Sequence, residues 1–186
     1  KKLLHQRSDI FFFVPDQKVL AIVDAQKDFI DGSMGVGMEK WKKAKAAIID
    51  LMKKEKYDSI VYTKDWHPTN HCSFKDQGGP WPSHCVAGAK GAEIDAELLA
   101  VNIPSVTLNK GCNPNVEEYG IDVLPNVDNV KELHLVGLCF DYCVQSCAKE
   151  TAKTHPNTKI VVKKAGTVAI DENAKIDWEG LNVKVE

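Results

Sequence analysis

The chain has 186 residues, 44% of them hydrophobic and 27% charged, with a formal net charge of −2. That length supports one domain with a sizeable core rather than two. The charge supplies no basic field for a phosphate backbone, so nucleic acid is not an expected partner.

Residues 1–17 read as an N-terminal arm and 18–186 as a single domain. The arm holds the apolar run "IFFFV" (10–14), far shorter than the roughly 20 residues that cross a bilayer and too short for a signal-peptide core. No membrane contact is expected, and a cytoplasmic location is the default. "VLAIV" (19–23) is a short apolar run ending at Asp24 and reads as a buried parallel strand. In "EKWKKAKAAIIDLMKKEK" (39–56), Trp41, Ala44, Ile48, Leu51 and Met52 recur at helical spacing, with lysines opposite. "SIVYT" (59–63) is the next strand, followed by an aperiodic segment rich in Pro, Gly, His and Trp (64–91).

"SVTLN" (105–109) and "ELHLVG" (132–137) predict two more strands, and "DYCVQSCAKETAKTH" (141–155) a helix that stops at Pro156. "KIVVKKA" (159–165) and "LNVKVE" (181–186) complete the strands. Alternating strands and helices predict an α/β protein with a mostly parallel sheet covered on both faces. In such sheets function gathers at the carboxyl ends of the strands. Asp24 closes the first, Asp65 and His67 follow the second, Lys110 follows the third, and a cysteine cluster follows the fourth.

"DWHPTNHCSF" (65–74) offers one carboxylate and two imidazoles, from Asp65, His67 and His71, with His84 following in "WPSHC". Such ligands suit zinc, iron, manganese or nickel, and three of them with open positions describe a catalytic metal. Pro68 argues that they converge through a loop. The competing readings are a chance cluster in a polar loop, or a closed zinc site built from the pairs His71-Cys72 and His84-Cys85.

The chain carries six cysteines but no export signal, so all are read as reduced thiols. If 139–147 were helical, Cys139 and Cys147 would lie about 12 Å apart, too far for a disulfide. Cys143 falls at the first turn of the expected helix, where free amides and the helix dipole favour a thiolate and can hold an oxyanion. Against this stands the frequency of inert buried cysteines. Asp24 could take the thiol proton and Lys110 could support the thiolate, unless they are a strand-end cap and a solvated lysine. Cys147 reads as core.

"VDAQKDF" (23–29), "DWHPTNH" (65–71), "WPSHCVAGAKGAEI" (81–94), "NKG" (109–111) and "GLCFDYCV" (137–144) together resemble the nicotinamidases, also called pyrazinamidases, of the isochorismatase-like cysteine hydrolases. The likeness runs from about residue 18 to the C-terminus, and its metal loop with "WPxHC" is its most specific part. It implies a three-layer α/β/α sandwich of isochorismatase-like, Rossmann-like type around a mostly parallel sheet. It implies a catalytic triad of Asp24, Lys110 and Cys143, and one divalent metal on Asp65, His67 and His71, with His84 a further ligand or a support behind the ligands. Zinc is the first expectation for the ion, with iron(II) or manganese(II) as alternatives. It implies an oxyanion hole from the backbone amides of Cys139 and Cys143 after a cis Leu138–Cys139 bond. Phe29 and Trp81 match aromatic pocket walls, and Tyr142 a more variable position beside the nucleophile.

The implied reaction is hydrolysis of nicotinamide to nicotinate and ammonia, a step of NAD salvage, with related small amides such as pyrazinamide as further substrates. The rivals are a superfamily hydrolase acting on another small amide, and a non-catalytic metal-binding or redox-sensing relative. The chain departs from the family after its lysine, where "KGCNPNVEEYG" replaces a segment like "KG…DSYSAF". Oligomeric state is open, a homo-oligomer included.

Overall fold

The computed structural model describes residues 15–186. Strand β1 (Gln17–Val23) leads through α1 (Lys27–Ile30) and α2 (Met38–Lys54) to β2 (Ser59–Asp65). A long irregular stretch then contains α3 (Ala96–Leu99) and ends in β3 (Ser105–Lys110). Strand β4 (Val130–Leu138), α4 (Gln145–Thr154), β5 (Lys159–Val168) and β6 (Val183–Val185) follow. The sheet order is β3-β2-β1-β4-β5-β6, and every neighbouring pair is parallel. The expected arm of residues 1–17 lies outside the described residues up to position 14, and Gln17 already belongs to β1.

Three layers follow from the alternation along the strands. In β1, Leu20 and Ile22 join a core with Trp41, Ala44 and Ile48 of α2 on one face. Val19, Ala21 and Val23 face the other way, into a core with Cys147, Ala148 and Ala152 of α4. Each fully buried aliphatic side chain of this kind contributes about 1.5–3 kcal/mol. Beyond β5 the second face is closed without a helix, by Ile176, Trp178 and Leu181 packed in irregular chain.

The expected helix at 141–155 opens differently. Residues Phe140–Val144 form a wider π-type turn, in which the Val144 amide reaches back to the Cys139 carbonyl at 3.1 Å, and the α-helix starts at Gln145. Asp141, inside that turn, accepts the amides of Ile170 and Asp171 at 2.9 and 2.8 Å, so the segment after β5 is tied to it.

Sheet order also places the site. From β1 the chain builds outward to β2 and β3, then returns to lay β4 on the other flank. The crevice beside the carboxyl ends of β1 and β4 is therefore the topological switch point, where ligands bind in open α/β sheets.

Candidate active site

Four strand ends meet at that crevice. Register sets Asp65 opposite Lys110, and Val23 opposite both Thr63 and Gly137. Gly137 has φ +113, and a Cβ there would lie 2.0 Å from the Val23 carbonyl oxygen, so only glycine lets β1 and β4 close at this point. Asp24, one residue past β1, takes φ 44, a left-handed conformation uncommon for a side-chain-bearing residue. Its turn is backed by Gln26, whose amide donates to the carbonyls of Asp65 and Ala92 at 2.8 and 3.0 Å and accepts the Asp65 amide at 2.8 Å. The Leu138–Cys139 peptide is cis.

Lys110 is fully buried at the centre. Its ammonium lies 2.5 Å from Asp65 Oδ1, 2.8 Å from Asp24 Oδ2 and 3.5 Å from Cys143 Sγ. The sulfur and one oxygen from each of Asp24 and Asp65 all lie within 4.8 Å of one another. Burial disfavours the ammonium, but Asp24 and Asp65 outweigh it and hold the Lys110 pKa well above the usual range. The solvated-lysine reading of Lys110 is thus excluded.

The two carboxylates diverge. Burial raises Asp65, yet the charge of Lys110 and the contact with His67 prevail and hold it below the usual carboxylate range. In Asp24 burial wins over Lys110, Asp65 adds repulsion, and the proton affinity rises. Asp24 Oδ1 accepts the Thr63 hydroxyl at 2.7 Å. Oδ2 faces the Lys110 ammonium at 2.8 Å, so both oxygens are partnered. A carboxylate of raised basicity beside a thiol has the chemistry to accept its proton.

Cys143 departs from the sequence expectation in one respect. Burial pushes its thiol well up, Lys110 offsets only part of that, and Asp24 and Asp65 add to the rise. The resting group is a thiol, and it needs a base to become a nucleophile. Cys147 is buried core, with its thiol pushed up to about 12 by desolvation.

The metal-type ligands regroup. Asp65, His67 and His84 offer atoms within 4.8 Å of one another. His67 Nδ1 donates to the Gly111 carbonyl at 2.8 Å and His84 Nδ1 to the Pro82 carbonyl at 2.7 Å, leaving Nε2 as the available nitrogen of each ring. His67 Nε2 stands 3.4 Å from Asp65 Oδ2, the oxygen not engaged by Lys110. One carboxylate oxygen and two imidazoles oriented by backbone carbonyls fit a divalent ion such as zinc, iron(II) or manganese(II) with open positions. His71, expected as the third ligand, stays outside this group. Its Nδ1 accepts the Ser73 amide at 3.2 Å and its Nε2 donates to the Val116 carbonyl at 3.1 Å, so neither nitrogen faces the other ligands. Gly111, with φ +63, lies so close that a Cβ would sit 2.4 Å from the His67 ring.

Asp65, His84 and Cys143 floor a pocket with about 390 Å³ of space, solvent at its open mouth included. Phe29, Trp81 and Tyr142 line it as expected, together with Asp65, His84, Cys139 and Cys143. Trp81 and Tyr142 meet edge-on at 5.4 Å between ring centroids, and Phe29 lies 5.5 Å from the His84 ring. Tyr119 completes the aromatic wall, its hydroxyl accepting Trp81 Nε1 at 3.0 Å. Sequence reasoning missed Tyr119, Gln26 and Thr63. Gln26 sat in the quoted "VDAQKDF" without a role, whereas nothing local marked Thr63 or Tyr119.

Comparison with known proteins adds the following. The family model of the isochorismatase domain matches residues 18–174. The nicotinamidase/pyrazinamidase of Mycobacterium tuberculosis is 30% identical over 166 residues, covering 83% of this chain and 89% of that protein. PnC1 from L. infantum, solved in complex with nicotinate, superposes with a TM-score of 0.75 at 29% identity, over 84% of this chain and 83% of that one. The pyrazinamidase of Pyrococcus horikoshii, solved in complex with zinc, gives a TM-score of 0.66 at 30% identity, over 84% and 88% of the two chains.

Proposed function

The chain belongs to the isochorismatase family, and from that premise we propose that it is a nicotinamidase, hydrolysing nicotinamide to nicotinate and ammonia through Cys143. The observation that carries this is the meeting of Cys143, Asp24 and Lys110 beneath a small aromatic pocket edged by Asp65 and His84, with His67 beside them. Pyrazinamide-type amides, which share the single ring and the carboxamide, fit the same pocket.

A ring stacked among Phe29, Trp81, Tyr119 and Tyr142 places its carboxamide over Cys143. Asp24 Oδ2 takes the thiol proton, and the sulfur attacks the carboxamide carbon. The amides of Cys139 and Cys143 hold the developing oxyanion. Asp24 then returns the proton to the departing nitrogen, ammonia leaves, and a thioester remains. Water, deprotonated by Asp24, attacks the thioester carbon, releasing nicotinate and restoring the thiol. Lys110 keeps its charge throughout, balancing whichever of Asp24 and Cys143 is anionic. Asp65, His67 and His84 would hold a divalent metal, with zinc first among the candidates, which when bound supplies a Lewis-acidic anchor for the ring nitrogen.

Six free cysteines suit a reducing compartment, and a cytoplasmic step of NAD salvage is the setting we propose. No helix among the described residues is long and apolar enough to cross a membrane. The direct test is ammonia release from nicotinamide by the zinc-loaded chain and by Cys143→Ala. An intact, zinc-loaded protein with no turnover would sink the reading. Turnover surviving in Cys143→Ala would sink the mechanism and leave the substrate standing.

A further inference from the structure

The stretch from Gly111 to Tyr119 forms neither helix nor strand, yet it walls the pocket through Glu118 and Tyr119. Cys112, Asn113, Asn115, Val116 and Glu117 are exposed, so little apolar burial holds this strap in place. Its ends are firm. Lys110 lies in the site itself, and Gly120 sits so tightly on α4 that a Cβ would lie 2.3 Å from the Ser146 backbone.

Between those ends, a seam of hydrogen bonds joins the strap to the loop that carries the metal-type ligands. His67 Nδ1 donates to Gly111 O at 2.8 Å, and the Cys72 amide to Pro114 O at 2.8 Å. Ser73 Oγ donates to Glu117 Oε2 at 2.6 Å, and Trp81 Nε1 to the Tyr119 hydroxyl at 3.0 Å. In the middle, His71 Nε2 donates to Val116 O at 3.1 Å.

His71 is fully buried, and its ring lies 4.0 Å from that of His67 between centroids. Because Nδ1 accepts the Ser73 amide, the ring proton sits on Nε2, where the bond to Val116 needs it. Serving as a ligand would cost the ring one of these two bonds.

We propose that His71 is a positioning residue and not a metal ligand: it bolts the strap to the ligand loop. The aromatic wall at Tyr119 and the ligand ring of His67 thereby keep a set spacing across the pocket. Losing the bolt leaves the Val116 carbonyl without its donor and frees the strap. The hydrogen bonds of His71 go to Ser73 and Val116, not to Asp24, Lys110 or Cys143. Substrate binding should therefore suffer and the chemical step should not. The proposal rests on the nicotinamidase reading only for the substrate used to measure it.

The test uses the full chain loaded with zinc, comparing His71→Phe, which keeps the ring shape, with His71→Gln, whose amide can return the donor near the Nε2 position. Zinc content, amide exchange along residues 111–119 and steady-state kinetics on nicotinamide are measured. Both variants are expected to hold zinc as the parent does. In His71→Phe, exchange at Val116–Tyr119 rises and KM climbs about tenfold while kcat stays within about threefold. His71→Gln moves both back towards the parent. Loss of zinc from either variant overturns the proposal and makes His71 a ligand. Unchanged exchange and KM in a folded His71→Phe overturn it equally. Glutamine is a poor zinc ligand, so its zinc content settles the ligand question even where the phenylalanine variant does not fold. A parent protein inactive on nicotinamide ends the functional reading, while zinc content and exchange still decide the role of His71.

Discussion

The two ends of the sheet carry the same chemistry and use it differently. At the amino end, the Tyr57 hydroxyl pairs with His134 Nδ1 at 2.7 Å, and His134 Nε2 with Glu132 at 2.6 Å. Glu132 also meets Lys18 at 3.3 Å and Lys159 at 3.1 Å. Carboxylate, imidazole and lysine are all there, but each faces a partner. At the carboxyl end, the Asp24–Lys110 pair lies against a thiol, and Cys143 and His84 look into a pocket. A closed polar network stabilises, whereas one that opens on a pocket is available to a ligand. The difference lies in the open pocket and in the thiol of Cys143, which the amino-end network lacks.

That contrast can be broken at its reactive end first. Cys143→Ala should lower turnover by at least about 10⁴-fold while the melting temperature and zinc content hold, since a triad loses its function as a unit. Lys110→Met should act on both activity and stability. It strands Asp24 and Asp65 as buried, uncompensated carboxylates, and a loss of about 3–5 kcal/mol in denaturant unfolding at neutral pH is expected. Both changes should leave the amino-end network untouched, because its groups share no partner with the site.

His84→Ala sharpens the ligand assignment. Zinc affinity should fall by at least about 100-fold, beyond the effect of altering a supporting group, as read by competition with a chelator. Removing zinc from the parent should raise KM while Cys143 still alkylates in the presence of a small iodoacetamide probe.

The smallest effect belongs to the quiet end. Glu132 is raised by burial, but the hydrogen bonds of Lys159, His134 and Lys18 prevail and draw its pKa down to about 2. A carboxyl group depressed on folding stabilises above its unfolded value of about 4.3, and that contribution is lost as pH falls towards the folded value. Glu132→Gln should cost about 1 kcal/mol near neutrality and flatten the acid limb of the stability curve between those two values. Nicotinamide turnover should not move. A matching loss of turnover would show the two ends to be coupled.

Much of this was legible beforehand, for a local reason. Strands β1, β2 and β4 end at Val23, Asp65 and Leu138, so the strand ends and the residues that meet in the crevice lie close in sequence. What the sequence left open was convergence and environment. Nothing in "DWHPTNH" says that His71 turns towards Val116 while His84 swings in from a separate turn. Nothing in "GLCFDYC" says that the first helical turn widens, or that burial outweighs Lys110 at the thiol.

The sequence by itself determined the strands, the residues set at their ends and the family, because hydrophobic patterning and short motifs are properties of neighbouring residues. Only the tertiary structure decided which histidines meet, which carboxylate keeps its proton affinity and where the strap is bolted. Those depend on loop paths between distant residues and on desolvation, and both exist only once the chain has closed on itself.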